Sequence, residues 1–392
     1  MNVVAFAQSS LLPYKNPVLS VDERVKDLLS RMTLEEKVGQ LLCPLGWEMY
    51  EIKDDEVHPS EKFKRLMKEK NAGMLWATYR ADPWTKKTLE NGLNPELAAK
   101  AGNALQKYVI ENTRLGIPLF LAEEAPHGHM AIGTTVFPTG IGMAATWSPT
   151  LIEEVGNVIA KEIRSQGAHI SYGPVLDLSR DPRWSRVEET FGEDPVLSGR
   201  LGAAMILGLG SGDLSCEYAT IATLKHFLAY AVPEGGQNGN YASVGTRDLH
   251  ENFLPPFREA IDAGALSVMT SYNSIDGVPC PANHYLLTQL LRNEWRFRGF
   301  VVSDLYSIES HFVAPTIEEA AMQAVSAGAD IDLGGDAFMN LTHAVQFGKI
   351  SEAVIDTAVC RVLRMKFEIG LFEHPYVNPK TATKIVRSKD HI

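Results

Sequence analysis

Asp304 is where this 392-residue sequence has most to offer a reaction. It closes the run Gly299-Phe300-Val301-Val302-Ser303-Asp304. Phe300 to Ser303 is too short for a helix, apolar enough to be buried on both faces, and fronted by a glycine that ends the preceding segment. A carboxylate just after such a strand sits where the loops of a parallel α/β sheet carry chemistry. The plainer alternative makes Asp304 the cap of the next helix. Other apolar runs also end on polar groups: Glu123-Glu124-Ala125-Pro126-His127-Gly128, Asp177, Lys225-His226, Thr270-Ser271-Tyr272-Asn273, and Asp330 with Asp332. Salt bridges placed only for stability have no reason to choose the same end of every strand.

Such groups need a scaffold that gathers strand ends. Strands are expected near 40–44, 73–77, 118–122, 170–175, 221–226, 267–272, 300–304 and 329–333, alternating with amphipathic stretches. The first helix runs from Val21 to Met32, and Thr33-Leu34-Glu35-Glu36 is the capped start of a second. Eight strands alternating with helices predict an α/β chain folded as a (β/α)8 TIM-like barrel.

The longest polar connection, 179–195, packs three arginines, five carboxylates and two aromatics into seventeen residues. Its proline and glycine punctuation forbids one continuous helix. Arginine–carboxylate pairs can brace such a loop from within, with Asp181, Arg183 and Glu193 as the brace and Arg186 left for a ligand.

Composition removes other classes. A net charge of −11 leaves no basic stripe for a nucleic acid. Cys43, Cys216, Cys280 and Cys360 are scattered and form no zinc pattern. No run reaches the roughly 18 apolar residues of a membrane span. Val3-Val4-Ala5-Phe6-Ala7-Gln8-Ser9-Ser10 reads as the end of a secretory signal, so export to the periplasm or beyond the cell is expected.

The motifs Asp181-Pro182-Arg183-Trp184-Ser185-Arg186 with Glu189-Thr190-Phe191-Gly192-Glu193-Asp194-Pro195, then Lys225-His226-Phe227, Ser271-Tyr272-Asn273 and Gly299 to Asp304 resemble glycoside hydrolase family 3, the β-glucosidase and β-xylosidase group. Order and spacing agree from about residue 21 to 375. The resemblance implies the family's N-terminal barrel, with Asp304 at the place of the nucleophile of a retaining mechanism. Glu124, Arg186, Lys225 and His226 match the groups that hold sugar hydroxyls in the first subsite, and Tyr272 stands close to the nucleophile. The implied activity is that of an exo-acting β-glycosidase releasing a terminal β-D-glucosyl or β-D-xylosyl residue from oligosaccharides or glycosides, with a small carbohydrate as substrate and no cofactor or metal.

The chemistry runs the same way. A retaining enzyme needs one ionised carboxylate and a second carboxyl roughly 5–5.5 Å away as acid. Lys225 and a nearby arginine are expected to keep the pKa of Asp304 low. His226 is either a satisfied buried histidine or, beside Lys225 at a strand end, a ligand contact; the second reading is preferred. In two-domain members of the family the acid comes from a following α/β sandwich domain. No residue of this chain is therefore expected to be the acid; Glu188 and Glu189 lie in the self-bracing loop. The expected division is 1–20 as signal remnant and N-terminal extension, 21–377 as catalytic barrel, and 378–392 as linker toward an absent C-terminal domain that docks on the barrel mouth.

Three alternatives stay beside this reading. The β-N-acetylhexosaminidase branch of the family carries its acid after the Lys-His strand, where this chain has Leu228-Ala229-Tyr230-Ala231-Val232-Pro233, although Asp248 and His250 lie nearby. A catalytically incomplete sugar-binding barrel is the second, and a Schiff-base lysine at Lys225 the third. Two local features bear on specificity. Leu305 follows Asp304 where many members have tryptophan, and the glycine-rich loop 233–241 is long enough to cover the mouth.

Overall fold

The computed structural model describes residues 12–310 and 313–392; the apolar stretch 3–10, expected to be a signal remnant, lies outside them. All eight expected strands are present. We number them β1 (Leu42–Cys43), β2 (Met74–Trp76), β3 (Phe120–Glu124), β4 (Ile170–Val175), β5 (Ile221–Phe227), β6 (Ser267–Thr270), β7 (Phe300–Val302) and β8 (Asp332–Leu333). From β2 to β7 they form one six-stranded sheet in chain order. β1 pairs with β8 in parallel, Leu42 opposite Asp332 and Cys43 opposite Leu333. Single parallel bridges, Leu45 to Trp76 and Val302 to Ile331, join the two seams and complete the ring.

Strands in such a ring meet helices outside and packed side chains inside. Accordingly β4 to β7 are buried at every position, which is why they read as continuous apolar runs. Gly299 has a more specific task than ending a helix: a Cβ there would lie 1.9 Å from the Leu266 carbonyl oxygen, so only glycine lets β7 enter beside β6.

The helices begin where local chemistry says they should. Ser20 and Thr33 form capping boxes with Glu23 and Glu36, starting Val21–Arg31 and Leu34–Gly39. Asn94, Ser148 and Asp194 cap Pro95–Asn112, Pro149–Ser165 and Pro195–Gly208, each with proline in the first turn. At the barrel base, Lys366 from the helix Glu352–Glu368 donates to Gln40 Oε1 and to the carbonyls of Gly73 and Pro118, all at 2.8 Å. Burial pushes its pKa down to about 7.

The stretch read as a linker lies against the barrel flank. Its helix Pro379–Ile385 packs on Pro95–Asn112 and Pro149–Ser165. The Arg387 backbone N–H and His391 Nδ1 then meet the buried carboxylate of Glu162, each at 2.8 Å. Among the described residues no helix is long and apolar enough to cross a membrane.

Candidate active site

A pocket of about 340 Å³ opens at the C-terminal ends of the strands. Asp304, Glu124, Arg186, Lys225 and Tyr272 line it; His226 stands behind them, buried. Asp330 and Asp332, which the sequence groups with this mouth, do not border the pocket. Asp330 faces the helices instead, and the Asp332 carboxylate accepts the Phe338 backbone N–H.

β7 fixes Asp304 through its neighbours. The Ser303 N–H donates to the Ile331 carbonyl at 2.9 Å, and Ser303 Oγ accepts the Leu333 N–H at 2.9 Å. The Asp304 carboxylate does not cap the following turn: its Oδ1 accepts the adjacent Leu305 N–H at 2.7 Å. Its side chain is 9% exposed, with Oδ2 3.6 Å from His226 Nε2, and the Tyr272 hydroxyl hydrogen-bonds to it. The expectation of a low pKa is corrected here. Burial pushes Asp304 up to about 6, outweighing Arg186, the Leu305 N–H, Lys225 and Tyr272. The two cations are already engaged elsewhere, so their pull on Asp304 does not repay its lost hydration.

Those engagements are direct. From β5, Lys225 Nζ donates to Glu124 Oε2 of β3 at 2.7 Å. Arg186 leads into a single helical turn, Val187–Glu189, which places Glu189 three residues on and beside it. Arg186 Nε and Nη2 reach the two Glu189 oxygens at 2.6 and 2.8 Å. Burial works against the guanidinium, but Glu189 and then Asp304 hold its pKa above the ordinary arginine value. The brace expected around Arg186 is therefore partly right. Arg183 grips Asp181 with two bonds of 2.9 and 2.7 Å and pulls it down to about 2, while Glu189 supplies the carboxylate on Arg186.

β5 shifts register between Leu224 and Phe227, where Lys225 and His226 lie. Arg186 Nη2 is 3.1 Å from His226 Nε2. A guanidinium has only donors, so Nε2 accepts and the histidine proton sits on Nδ1, which donates to Asp177 Oδ2 at 2.7 Å. Burial, with Arg186 and Lys225 adding to it, holds His226 well below its usual range and neutral. Asp177 also accepts the His226 backbone N–H at 3.1 Å, and burial pushes its carboxyl up to about 8. Asp177 was visible as a polar strand end, but its partnership with His226 was not.

Other sequence candidates lie away from the pocket. Asp248 pairs with Arg180 at 3.1 Å and His250 meets the Tyr285 hydroxyl at 2.9 Å, both in the helical run after Gly245. The loop 233–241 does not border the pocket either. Asn238 accepts the Trp184 indole N–H at 2.8 Å, and Gly236 packs on Arg183, so this loop is tied to the arginine loop. Sequence reasoning missed Trp76, Arg80 and Trp84, which line the pocket from β2 and its following loop.

Residues 33–365 match the family described as Glycosyl hydrolase family 3 N terminal domain. A putative beta-xylosidase from Formosa agariphila is 37% identical over 390 residues, 97% of this chain and 50% of that protein. The periplasmic beta-glucosidase of Salmonella typhimurium is 32% identical over 93% of this chain and 44% of its own length. Among solved structures, a β-glucosidase from Erythrobacter marinus superposes with a TM-score of 0.86 at 34% identity, over 96% of this chain and 49% of that one. The chain thus spans about half the length of the relatives it matches. With the family's motifs carried at the strand ends of a closed barrel, this chain belongs to glycosyl hydrolase family 3 and contains its N-terminal domain.

Proposed function

We propose that this barrel bears the nucleophile and the first sugar subsite of a retaining exo-acting β-glycosidase that releases a terminal β-D-glucosyl or β-D-xylosyl residue from oligosaccharides or glycosides. One observation carries the reading. The Asp304 carboxylate and the Lys225–Glu124 and Arg186–Glu189 pairs line one pocket, in a chain whose relatives are named β-glucosidases and β-xylosidases.

In this reading Asp304 bonds to the anomeric carbon as the leaving oxygen departs, and water later releases the sugar. Tyr272 orients the carboxylate. Glu124, Arg186, Lys225 and His226 hold the hydroxyls, because charge-assisted hydrogen bonds are the strong ones and an unmatched hydroxyl is penalised. The acid comes from a further domain seated over the mouth. Glu124 and Glu189 are poor candidates, each already bound to a cation. Burial raises Glu189, but Arg186 more than offsets it and keeps the carboxyl below its ordinary range. Relatives of about twice the length support such a cover. The division into 1–20, 21–377 and 378–392 follows from the same reading, and a relative named periplasmic supports export.

The test is covalent labelling. The chain is treated with 2,4-dinitrophenyl 2-deoxy-2-fluoro-β-glucoside and with the β-xyloside, whose leaving group needs no acid. The peptide bearing Asp304 should gain the mass of one fluoroglycosyl group. Label elsewhere, or equal labelling of Asp304→Asn, defeats the nucleophile assignment. Sugar binding without any label favours a binding barrel.

A further inference from the structure

Three indoles gather on one side of the pocket. Trp76 ends β2, Trp84 lies in the loop that follows, and Trp47 stands after β1. The ring centres of Trp47 and Trp84 are 4.9 Å apart and those of Trp76 and Trp84 5.7 Å. The Arg80 guanidinium lies 5.5 Å from the Trp76 ring centre and 5.2 Å from that of Trp84, and Asp82 holds it at 2.5 Å. Trp47 and Trp76 are buried, whereas Trp84 is 47% exposed and still lines the pocket.

An indole packed against two others and flanked by a fixed cation cannot swing away without losing all of these contacts. Trp84 is therefore a rigid apolar surface beside a pocket whose other walls carry Glu124, Lys225, Arg186 and Asp304. Charged groups match hydroxyls; a bare aromatic surface matches the C–H face of a ring. Trp76 borders the pocket as well, so the aromatic wall is not Trp84 alone. The residue after Asp304 is Leu305, whose aliphatic side chain lines the pocket without offering a ring.

We infer that Trp84 is the stacking wall for the leaving group, and that the protein favours substrates whose leaving group is a ring, a second pyranose or an aryl group, over small ones. The inference rests on the β-glycosidase reading above. Trp84 acts on substrate choice and takes no part in bond making.

Two substrates separate leaving-group contact from everything else. A 2,4-dinitrophenyl β-glycoside and the corresponding β-glycosyl fluoride both lose their leaving groups without an acid, and only the first leaves a ring. kcat/KM is measured on both, in the glucose or xylose series that the wild type prefers, for wild type, Trp84→Ala and Trp84→Phe. The aryl-to-fluoride ratio should fall at least about tenfold in Trp84→Ala and recover most of the way in Trp84→Phe. A ratio within about twofold of wild type overturns the inference, whether both constants fall together or neither does. A wild type that turns over neither compound and takes no label on Asp304 fails the β-glycosidase reading itself, and this inference with it. Labelling with an unmoved ratio fails only the inference.

Discussion

Asp304 follows β7 at the mouth of the barrel and Asp330 precedes β8 toward its base; both are buried, and their surroundings differ in one respect. Asp330 has every oxygen filled: Arg361 Nη1 on Oδ1 and Arg292 Nη2 on Oδ2, each at 2.7 Å, with the Val301 N–H also on Oδ2 at 2.8 Å. Asp304 has one backbone N–H at 2.7 Å and the Tyr272 hydroxyl, while the nearest cations are bound to other carboxylates. A carboxylate saturated by arginines has nothing left to give a ligand. One that is desolvated and only partly satisfied keeps bonding capacity at the expense of a raised pKa. Burial is shared by the two aspartates; the number of committed donors separates them.

Replacing each aspartate in turn tests that separation most severely. Asp304→Asn should lower kcat/KM on a dinitrophenyl β-glycoside by at least about 10³-fold while the folded state persists. Asp330→Asn should do the reverse. It leaves Arg292 and Arg361 without their shared partner and lowers unfolding stability by about 3–5 kcal/mol in a urea titration, with turnover per folded molecule retained. An Asp330 variant that folds at wild-type stability but loses turnover would erase the distinction.

The stability of Asp304→Asn gives a finer test. A carboxyl raised to about 6 in the folded state keeps its proton where the unfolded chain has lost it, so the wild type loses stability as pH rises from about 4 to 6. The asparagine variant lacks this loss. Its advantage over wild type should be small at pH 4, reach roughly 2.5 kcal/mol at pH 6 and level off at about 3 kcal/mol by about pH 7. A pH-independent difference would mean that Asp304 is not the titrating group. In turnover the same group appears with the opposite benefit: in its proposed role as nucleophile Asp304 must be ionised, so kcat/KM should climb with pH and level off above about 6. The smallest effect belongs to the surface. Arg247 and Glu251 pair at 3.3 Å in full view of solvent, and Glu251→Gln should move neither the urea midpoint nor turnover beyond measurement error.

Much of the fold was legible because barrel strands announce themselves locally. The run from Phe300 to Val302 is apolar throughout since both of its faces are covered, and its position between turn signals marks it as a strand rather than a helix. Thr33 likewise predicted its helix, because a capping box is made within four residues. The polar strand ends were equally visible, but their sorting was not. Asp330 was grouped with Asp304 because both adjoin apolar strands; its arginines come from positions 38 and 31 residues distant, on two helices that no local pattern pairs with it. Trp84 carries no periodic signal in its loop, and its contact with Trp47 exists only once β1 and β2 are neighbours.

The sequence by itself determined which segments are strands, where a carboxylate, a lysine–histidine pair and an arginine loop meet their ends, and to which family those motifs belong, since each is written in adjacent residues. Tertiary structure alone decided the state of those groups. The pKa of Asp304 depends on how much water the closed ring excludes, the proton of His226 sits on Nδ1 because Arg186 arrives at Nε2 from another connection, and Lys225 is engaged because β3 and β5 bring Glu124 within 2.7 Å. Desolvation and partner choice are set by distances between segments far apart in the chain, and those distances exist only after folding.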